Sequence, residues 1–299
     1  MESVRVYYSD DYCHQGATFD TYAKAALVAD RIRDDERIHV VAPRPVDTGE
    51  LARVHDADYV TAVLTGSPEE LATSNGFSWS PHLRDGVLVT TGGVRDAALH
   101  ALHANTISGS LSSGLHHAAS GHGQGFCTLN GLALGALAAR DAGANRVLIL
   151  DLDAHCGGGT AQIINGWDGV EQFDLSVIGF DSYESSSNAR LVMSDGPGYL
   201  NDLTRGLCDI TQPEGIDLVI YNAGMDVHED AGGVRGITTH VVIERERLVM
   251  AWCQHNDIPV AFVLAGGYST ARRAMGEVAD LHVHTITAAT DAVADKNRV

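Results

Sequence analysis

Brief apolar runs alternate with longer amphipathic stretches along most of the chain. Val4–Tyr8, Ile38–Ala42, Val147–Asp153, Leu175–Phe180, Leu218–Asn222 and Val260–Leu264 read as strands, and the last four, rich in Val, Ile and Leu, as strands buried on both faces. Thr21–Arg33 carries apolar residues at helical spacing, and Val94–Ala104, Leu129–Ala142, Asn201–Ile210, Val241–His255 and Ala271–Ala288 also read as helices. Alternation of the two predicts an α/β fold, a three-layer αβα arrangement with a mostly parallel central sheet. No repeat, low-complexity segment or Pro/Gly-rich linker interrupts it, so a single domain over 1–299 is expected, with a polar tail at Asp291–Val299 that frays.

The pattern breaks most sharply in Val147-Leu-Ile-Leu-Asp151-Leu-Asp153-Ala-His155, where an apolar run closes on two acids and a histidine. Residues i, i+2 and i+4 of a strand share a face, so Asp151, Asp153 and His155 are predicted to emerge together. Charge at the end of a buried strand is costly unless a metal ion or a partner charge offsets it. Carboxylate oxygen and imidazole nitrogen are good ligands for Zn²⁺, and for Fe²⁺ or Mn²⁺. The plainer alternative is an Asp and a His capping the next helix; Gly157-Gly158-Gly159 argues instead for a site open to close backbone approach.

Parallel sheets bind ligands beyond the carboxyl ends of their strands. Two further predicted strand ends carry polar residues: Leu218–Asn222 leads into Asp226 and His228, and Val260–Leu264 into Ala265-Gly-Gly-Tyr268. Two carboxylates and one histidine leave positions open on a metal, as a catalytic site requires. The Gly-rich segment from Gly114 to Cys127 adds His116 and His117, candidates for general acid–base work.

Charge narrows the partners. The formal net charge is −19, and Lys24 and Lys296 are the only lysines, which excludes direct binding to nucleic acid. Acids spread along the whole chain fit a solvated acidic surface; attraction of a cationic substrate is the functional alternative. No run of about 18 apolar residues is present, so no membrane span is expected. The N-terminal residues read as a first strand and not as a signal peptide, and five scattered cysteines without a CxxC pair fit a cytoplasmic protein with reduced thiols.

His116-His117-Ala with Gly125-Phe126-Cys127, then Asp151-Leu-Asp153-Ala-His155, then Ala223-Gly-Met-Asp226, then Gly266-Gly267-Tyr268 follow one another in an order that resembles the histone deacetylase-like amidohydrolases. That family includes histone deacetylases, acetylpolyamine amidohydrolases and acetoin-utilisation proteins. Val54-His55-Asp-Ala-Asp58-Tyr59-Val60 and Thr91-Gly92-Gly93 leading into a helix also resemble it. The resemblance implies an arginase/deacetylase-like fold, a mononuclear Zn²⁺ site with Fe²⁺ as an alternative, and hydrolysis of the amide of a small acylated amine or an acyl-lysine. It implies Asp153, His155 and Asp226 as metal ligands, and His116 and His117 as the pair that moves protons. It further implies Asp151 as the carboxylate behind His116, Tyr268 as an oxyanion donor, and Phe126, with Gly125 and Gly267, as residues that hold the substrate. Main-chain oxygens around Asp151–His155 match a structural K⁺ site.

The sequence also departs from that family. Asp or Asn usually stands three residues after the ligand histidine and orients the second catalytic histidine; here the position is Gly158, so His117 is expected to lack its partner or to use a water. Cys156 replaces a common histidine, and strand alternation turns it away from the metal as a packed thiol. Ala265 stands for one usual Gly, and the segment from Asn201 to Asp217 is shortened. Arginase-like ureohydrolases, which hold two Mn²⁺ ions, need further Asp residues where Gly157 and Gly224 stand. A non-catalytic metal- or acyl-binding relative is the remaining alternative. His122 reads as a cap or a solvent contact, His228 as a support for the ligand loop or a structural hydrogen bond, and Asp230 as a brace for that loop. His282 and His284 read as surface residues, and Asp181-Ser-Tyr183-Glu184 as pocket rim or solvated loop.

Overall fold

The computed structural model describes residues 3–12 and 23–296, so Thr21, Tyr22, Cys13 and the end of the tail lie outside the described residues. Eight strands form one sheet: β1 (Val4–Tyr7), β2 (Ile38–Val41), β3 (Ile107–Ser110), β4 (Val147–Asp151), β5 (Val170–Ser176), β6 (Ala189–Met193), β7 (Leu218–Gly224) and β8 (Val260–Ala265). Their order is β2-β1-β3-β8-β7-β4-β5-β6, and every pairing is parallel.

Among the described residues, ten α-helices surround the sheet: α1 (Lys24–Ile32), α2 (Thr48–Leu51), α3 (Ala57–Thr65), α4 (Glu69–Ala72), α5 (Pro81–Ala104), α6 (Gly131–Asp141), α7 (Gly158–Ile164), α8 (Tyr199–Cys208), α9 (Thr239–His255) and α10 (Met275–Lys296). The period-two rule assigns their faces. In β4, Val147 and Ile149 enter one apolar core with Val94 and Ala97 of α5 and Leu132 of α6. Leu148 and Leu150 enter the other, with Val28 of α1, Leu203 of α8, Val249 of α9 and Val278 of α10. Apolar side chains on both faces explain the continuous hydrophobic runs. The α/β three-layer expectation holds, and the sheet is parallel throughout.

Several boundaries differ from the periodicity reading. The run at 175–180 belongs to β5 only up to Ser176; the amides of Val177 and Ile178 turn to the Ala154 carbonyl. The strand begins at Val170 because Gln172 and Asp174, polar yet buried, extend it toward Asp151. β3, Ile-Ser-Gly-Ser, was not predicted: its Gly109 leaves room for the Phe262 ring, which a Cβ there would strike. The helix expected at 94–104 starts at Pro81, with the Ser80 hydroxyl accepting from the Leu83 amide at 3.0 Å, and runs through Gly92-Gly93. That pair sits mid-helix because a Cβ at 92 would strike the Arg44 carbonyl and one at 93 the Tyr12 hydroxyl. α10 continues to Lys296, whose ammonium bonds the Asn105 carbonyl and Asp257, so the predicted fraying does not reach that far.

One buried side chain ties the strand ends together. Arg245 of α9 has no exposed surface. Its Nη1 donates to the Leu152 carbonyl at 3.1 Å, beyond β4, and to the Gly224 carbonyl at 2.6 Å, at the end of β7. Its Nε and Nη2 donate to Glu246 Oε1, which also accepts from the Tyr221 hydroxyl. Removing one member of a buried ion pair strands the other charge, at a cost of about 3–5 kcal/mol. Arg245→Met is therefore expected to lower the urea midpoint by that much stability; a midpoint equal to the parent's would contradict the role.

Candidate metal centre and active site

The segments after β4 and β7 bring three side chains to one point. Asp153 and His155 follow β4 and Asp226 follows β7, and one ligand atom from each lies within 4.8 Å of the others. His155 Nδ1 is 3.2 Å from Asp153 Oδ1 and 3.1 Å from Asp226 Oδ2. Both carboxylates are buried, and their segments pack so closely that a Cβ at Gly224, two residues before Asp226, would strike Asp153.

Burial and the Asp153 charge push the Asp226 carboxyl up. Burial would also raise Asp153, but His116 and His155 outweigh it and hold that carboxyl below the usual range. Burial lowers His155, yet the two carboxylates outweigh burial and raise it to about 11. Two buried acids converging on one imidazole nitrogen form a site that seeks positive charge. An oxygen, nitrogen, oxygen donor set of this kind fits a single Zn²⁺ or Fe²⁺. Among the described residues it is the one group of three or more side chains able to hold a metal, and Gly157 and Gly224 supply no second set.

His116 and His117 stand beside this cluster, their ring centroids 3.9 Å apart. His116 Nδ1 lies 2.9 Å from Asp151 Oδ2. Asp151 is itself held, its Oδ1 accepting from Asn222 Nδ2 at 2.8 Å and from the Asp153 amide at 3.2 Å. Burial lowers His116, but Asp151 and Asp153 outweigh it and raise the ring to about 10. Burial and the charge of His116 lower His117 to about 4, against the pull of Asp181. Their surroundings thus push the two rings in opposite directions, His116 toward the imidazolium and His117 toward the free base.

The expectation that His117 lacks a carboxylate partner is corrected. Its Nδ1 lies 2.9 Å from Asp181 Oδ2. Asp181, read from the sequence as pocket rim or solvated loop, is thus a direct neighbour of the histidine pair, a contact that reading did not foresee. Phe180 was missed as well: its ring meets His117 edge-on at 4.9 Å and His155 at 6.1 Å. An aromatic followed by an acid just past a strand end was the available signal.

A narrow cavity of about 30 Å³ opens onto the site, lined among others by His116, His117, Gly125, Phe126, Asp153 and Tyr268. Phe126 packs on Phe77, and Tyr268 lies with its ring 6.5 Å from His155. Gly267 departs from the expectation: Gly266 lines the cavity, whereas a Cβ at Gly267 would meet Val278 and Met225. A larger cavity of about 370 Å³, lined by Ile107, Met250, Cys253, Ile258 and Val293, lies at the other end of β3 and β8 and shares no residue with the site.

The remaining readings divide. Cys156 is a buried thiol with Sγ 3.6 Å from Met193 Sδ, turned away as alternation predicted. His228 bonds Thr239 and the Asp230 amide, and Asp230 takes contacts from Thr270 and Arg272, a brace on the Asp226 loop. His122 is exposed. His282 is fully buried and His284 half-buried, contrary to the surface expectation, because α10 packs that side against the sheet.

The sequence model of the histone deacetylase domain matches residues 19–286. The chain belongs to the histone deacetylase family. An uncharacterised Picosynechococcus protein is 35% identical over 254 residues, covering 81% of this chain and 82% of that one. Histone deacetylase B of Dictyostelium discoideum is 24% identical over 78% of this chain and 61% of its own length. The acetoin utilization protein AcuC of Staphylococcus aureus is 34% identical over 40% of this chain and 34% of its own. The crystal structure of the HDA15 HD domain superposes with a TM-score of 0.76 at 20% identity, over 98% of this chain and 90% of that one, and so shares the fold. Family membership carries deacetylase-type hydrolase chemistry. No helix among the described residues is long and apolar enough to cross a membrane.

The cluster generates a stoichiometry. Metal analysis after dialysis against Zn²⁺ is expected to find one equivalent per chain, lost in Asp226→Ala. Two equivalents of Mn²⁺, or undiminished metal in the variant, would contradict a single three-ligand site.

Proposed function

We propose that the protein is a metal-dependent amidohydrolase that removes an acyl group, acetyl in the simplest case, from a small acylated amine or an exposed acyl-lysine. The observation that carries this reading is the pair of adjacent histidines, each bonded to its own carboxylate, beside the Asp153–His155–Asp226 cluster.

A divalent ion held by Asp153, His155 and Asp226, Zn²⁺ ahead of Fe²⁺, would supply Lewis acidity to the substrate carbonyl and to the attacking water. His117, neutral and bonded through Nδ1, turns its Nε2 lone pair to that water and takes its proton. The same ring returns the proton to the leaving nitrogen as the C–N bond breaks, giving a carboxylic acid and a free amine. His116, held as the imidazolium by Asp151, places positive charge beside the tetrahedral oxygen. The Tyr268 hydroxyl donates to that oxygen only as charge develops on it. Phe126 and Phe180 give the acyl-bearing chain two apolar walls.

A second ion also fits. Asp151 and Asp174 are fully buried partners on neighbouring strands, and burial with the Asp151 charge pushes Asp174 up to about 8. A structural K⁺ among these oxygens, the Ser176 hydroxyl and the His155 carbonyl would balance the pair. The net charge of −19 favours cationic acylamines over neutral ones at low salt, a preference that fades as screening shortens to about 8–10 Å.

The test is a panel of acetylpolyamines and fluorogenic acetyl-lysine amides with the metal-loaded protein. Turnover is expected, lost on chelation and restored by Zn²⁺, and Tyr268→Phe should lower kcat by about 100–1000-fold with metal content unchanged. No turnover on any member would overturn the reading. A second outcome concerns pH. Asp151 raises His116, so the imidazolium persists until the medium is alkaline; Asp151→Asn should therefore move the alkaline limb of the rate profile to lower pH. A limb that stays in place would show that another group sets it.

A further inference from the structure

We propose that Asp181 is the positioning residue for His117, a role that the chain supplies from position 181 because position 158 is glycine. The proposal rests on the reading of His117 as the proton carrier.

Three observations converge. First, Asp181 Oδ2 accepts two hydrogen bonds, from His117 Nδ1 at 2.9 Å and from the Gly159 amide at 3.1 Å. The backbone donor fixes the oxygen, and the fixed oxygen holds the proton of neutral His117 on Nδ1. That leaves Nε2 as the acceptor. Second, Asp181 has a φ of 59°, in the left-handed region that costs a residue with a Cβ about 1 kcal/mol or more and that glycine adopts freely. A turn with no task for a carboxylate would be better served by glycine. Third, a Cβ at Gly158 would strike the Asp181 carbonyl and come within 2.5 Å of Asp181 Oδ1. The two positions exclude each other: a side chain at 158 would need the space that Asp181 fills. Gly158 is therefore the counterpart of Asp181 and not a lost function.

The relocation has a consequence. Asp181 directly follows Phe180, whose half-exposed ring meets His117 edge-on at 4.9 Å. The wall that meets the acyl chain and the acceptor that orients the base are thus consecutive residues of one turn, held by the same backbone.

Two variants separate the carboxylate from the turn. Asp181→Gly removes the acceptor and suits the positive φ. Asp181→Asn keeps an acceptor, because the Gly159 amide selects the side-chain oxygen over the nitrogen at that point. Two readouts are made: ¹H–¹⁵N spectra of the imidazoles in the metal-free protein, with the His117 signals identified by their loss in His117→Ala, and kcat and KM of the metal-loaded protein on a fluorogenic acetyl-lysine amide. Asp181→Gly is expected to lose the hydrogen-bonded Nδ1–H signal and to lower kcat about 100-fold, the scale of a general base's contribution, with KM within about threefold. Asp181→Asn is expected to retain the signal and most of kcat. A parent-like spectrum in Asp181→Gly, or equal losses in both variants, would overturn the proposal. Should the parent turn over no acyl amide, the deacylase reading fails while the spectra still decide the role of Asp181.

Discussion

Two carboxylates that repel each other at the ends of adjacent buried strands constrain the rest of the molecule. Asp153 and Asp226 sit where water cannot screen them, and unit charges about 4 Å apart interact by roughly 4 kcal/mol at the effective dielectric of a protein surface. Folding succeeds only if positive charge is supplied around them. His155 bonds both acids, His116 lies 3.6 Å from Asp153, and Arg245 clamps the two strand ends from beneath. An acid pair kept at this cost, open to a cavity on one side, is arranged for a cation.

The same charges divide two chemically identical rings. His116 and His117 are neighbours in sequence and nearly stacked in space, so their chemistry can differ only through their partners. His116 feels Asp151 and Asp153 together and is pushed up; His117, buried beside the His116 ring with Asp181 as its acceptor, is pushed down. A pair with equal surroundings would compete for one proton. This pair has unequal surroundings, because β4, which leads into Asp153 and His155, also carries Asp151, the acid behind His116.

Much of this was legible in the sequence. The i, i+2, i+4 spacing of Asp151, Asp153 and His155 follows from strand geometry, and the two cores on either face of β4 follow from its unbroken apolar run. The polar strand ends of β4 and β7 pointed to one place, and the three side chains able to hold a metal meet there. What escaped the sequence depends on contacts between distant segments. Asp181 meets His117 across 64 residues, on a turn whose positive φ no propensity predicts. The first five residues of β5 escaped because Gln172 and Asp174 are polar, and their polarity belongs to the cluster around Asp151. Gly92 and Gly93 stood before the predicted helix because glycine weakens a helical pattern, and only the packing against Arg44 and Tyr12 shows why they sit inside it.

Anomalous diffraction from crystals soaked in Zn²⁺, collected on both sides of the zinc edge, tests the central claim most directly. One strong peak is predicted, within bonding distance of Asp153, His155 and Asp226 and open toward the cavity between His117 and Tyr268. Two peaks in the cluster, or zinc bound elsewhere with these three side chains left bonded only to one another, would contradict the account.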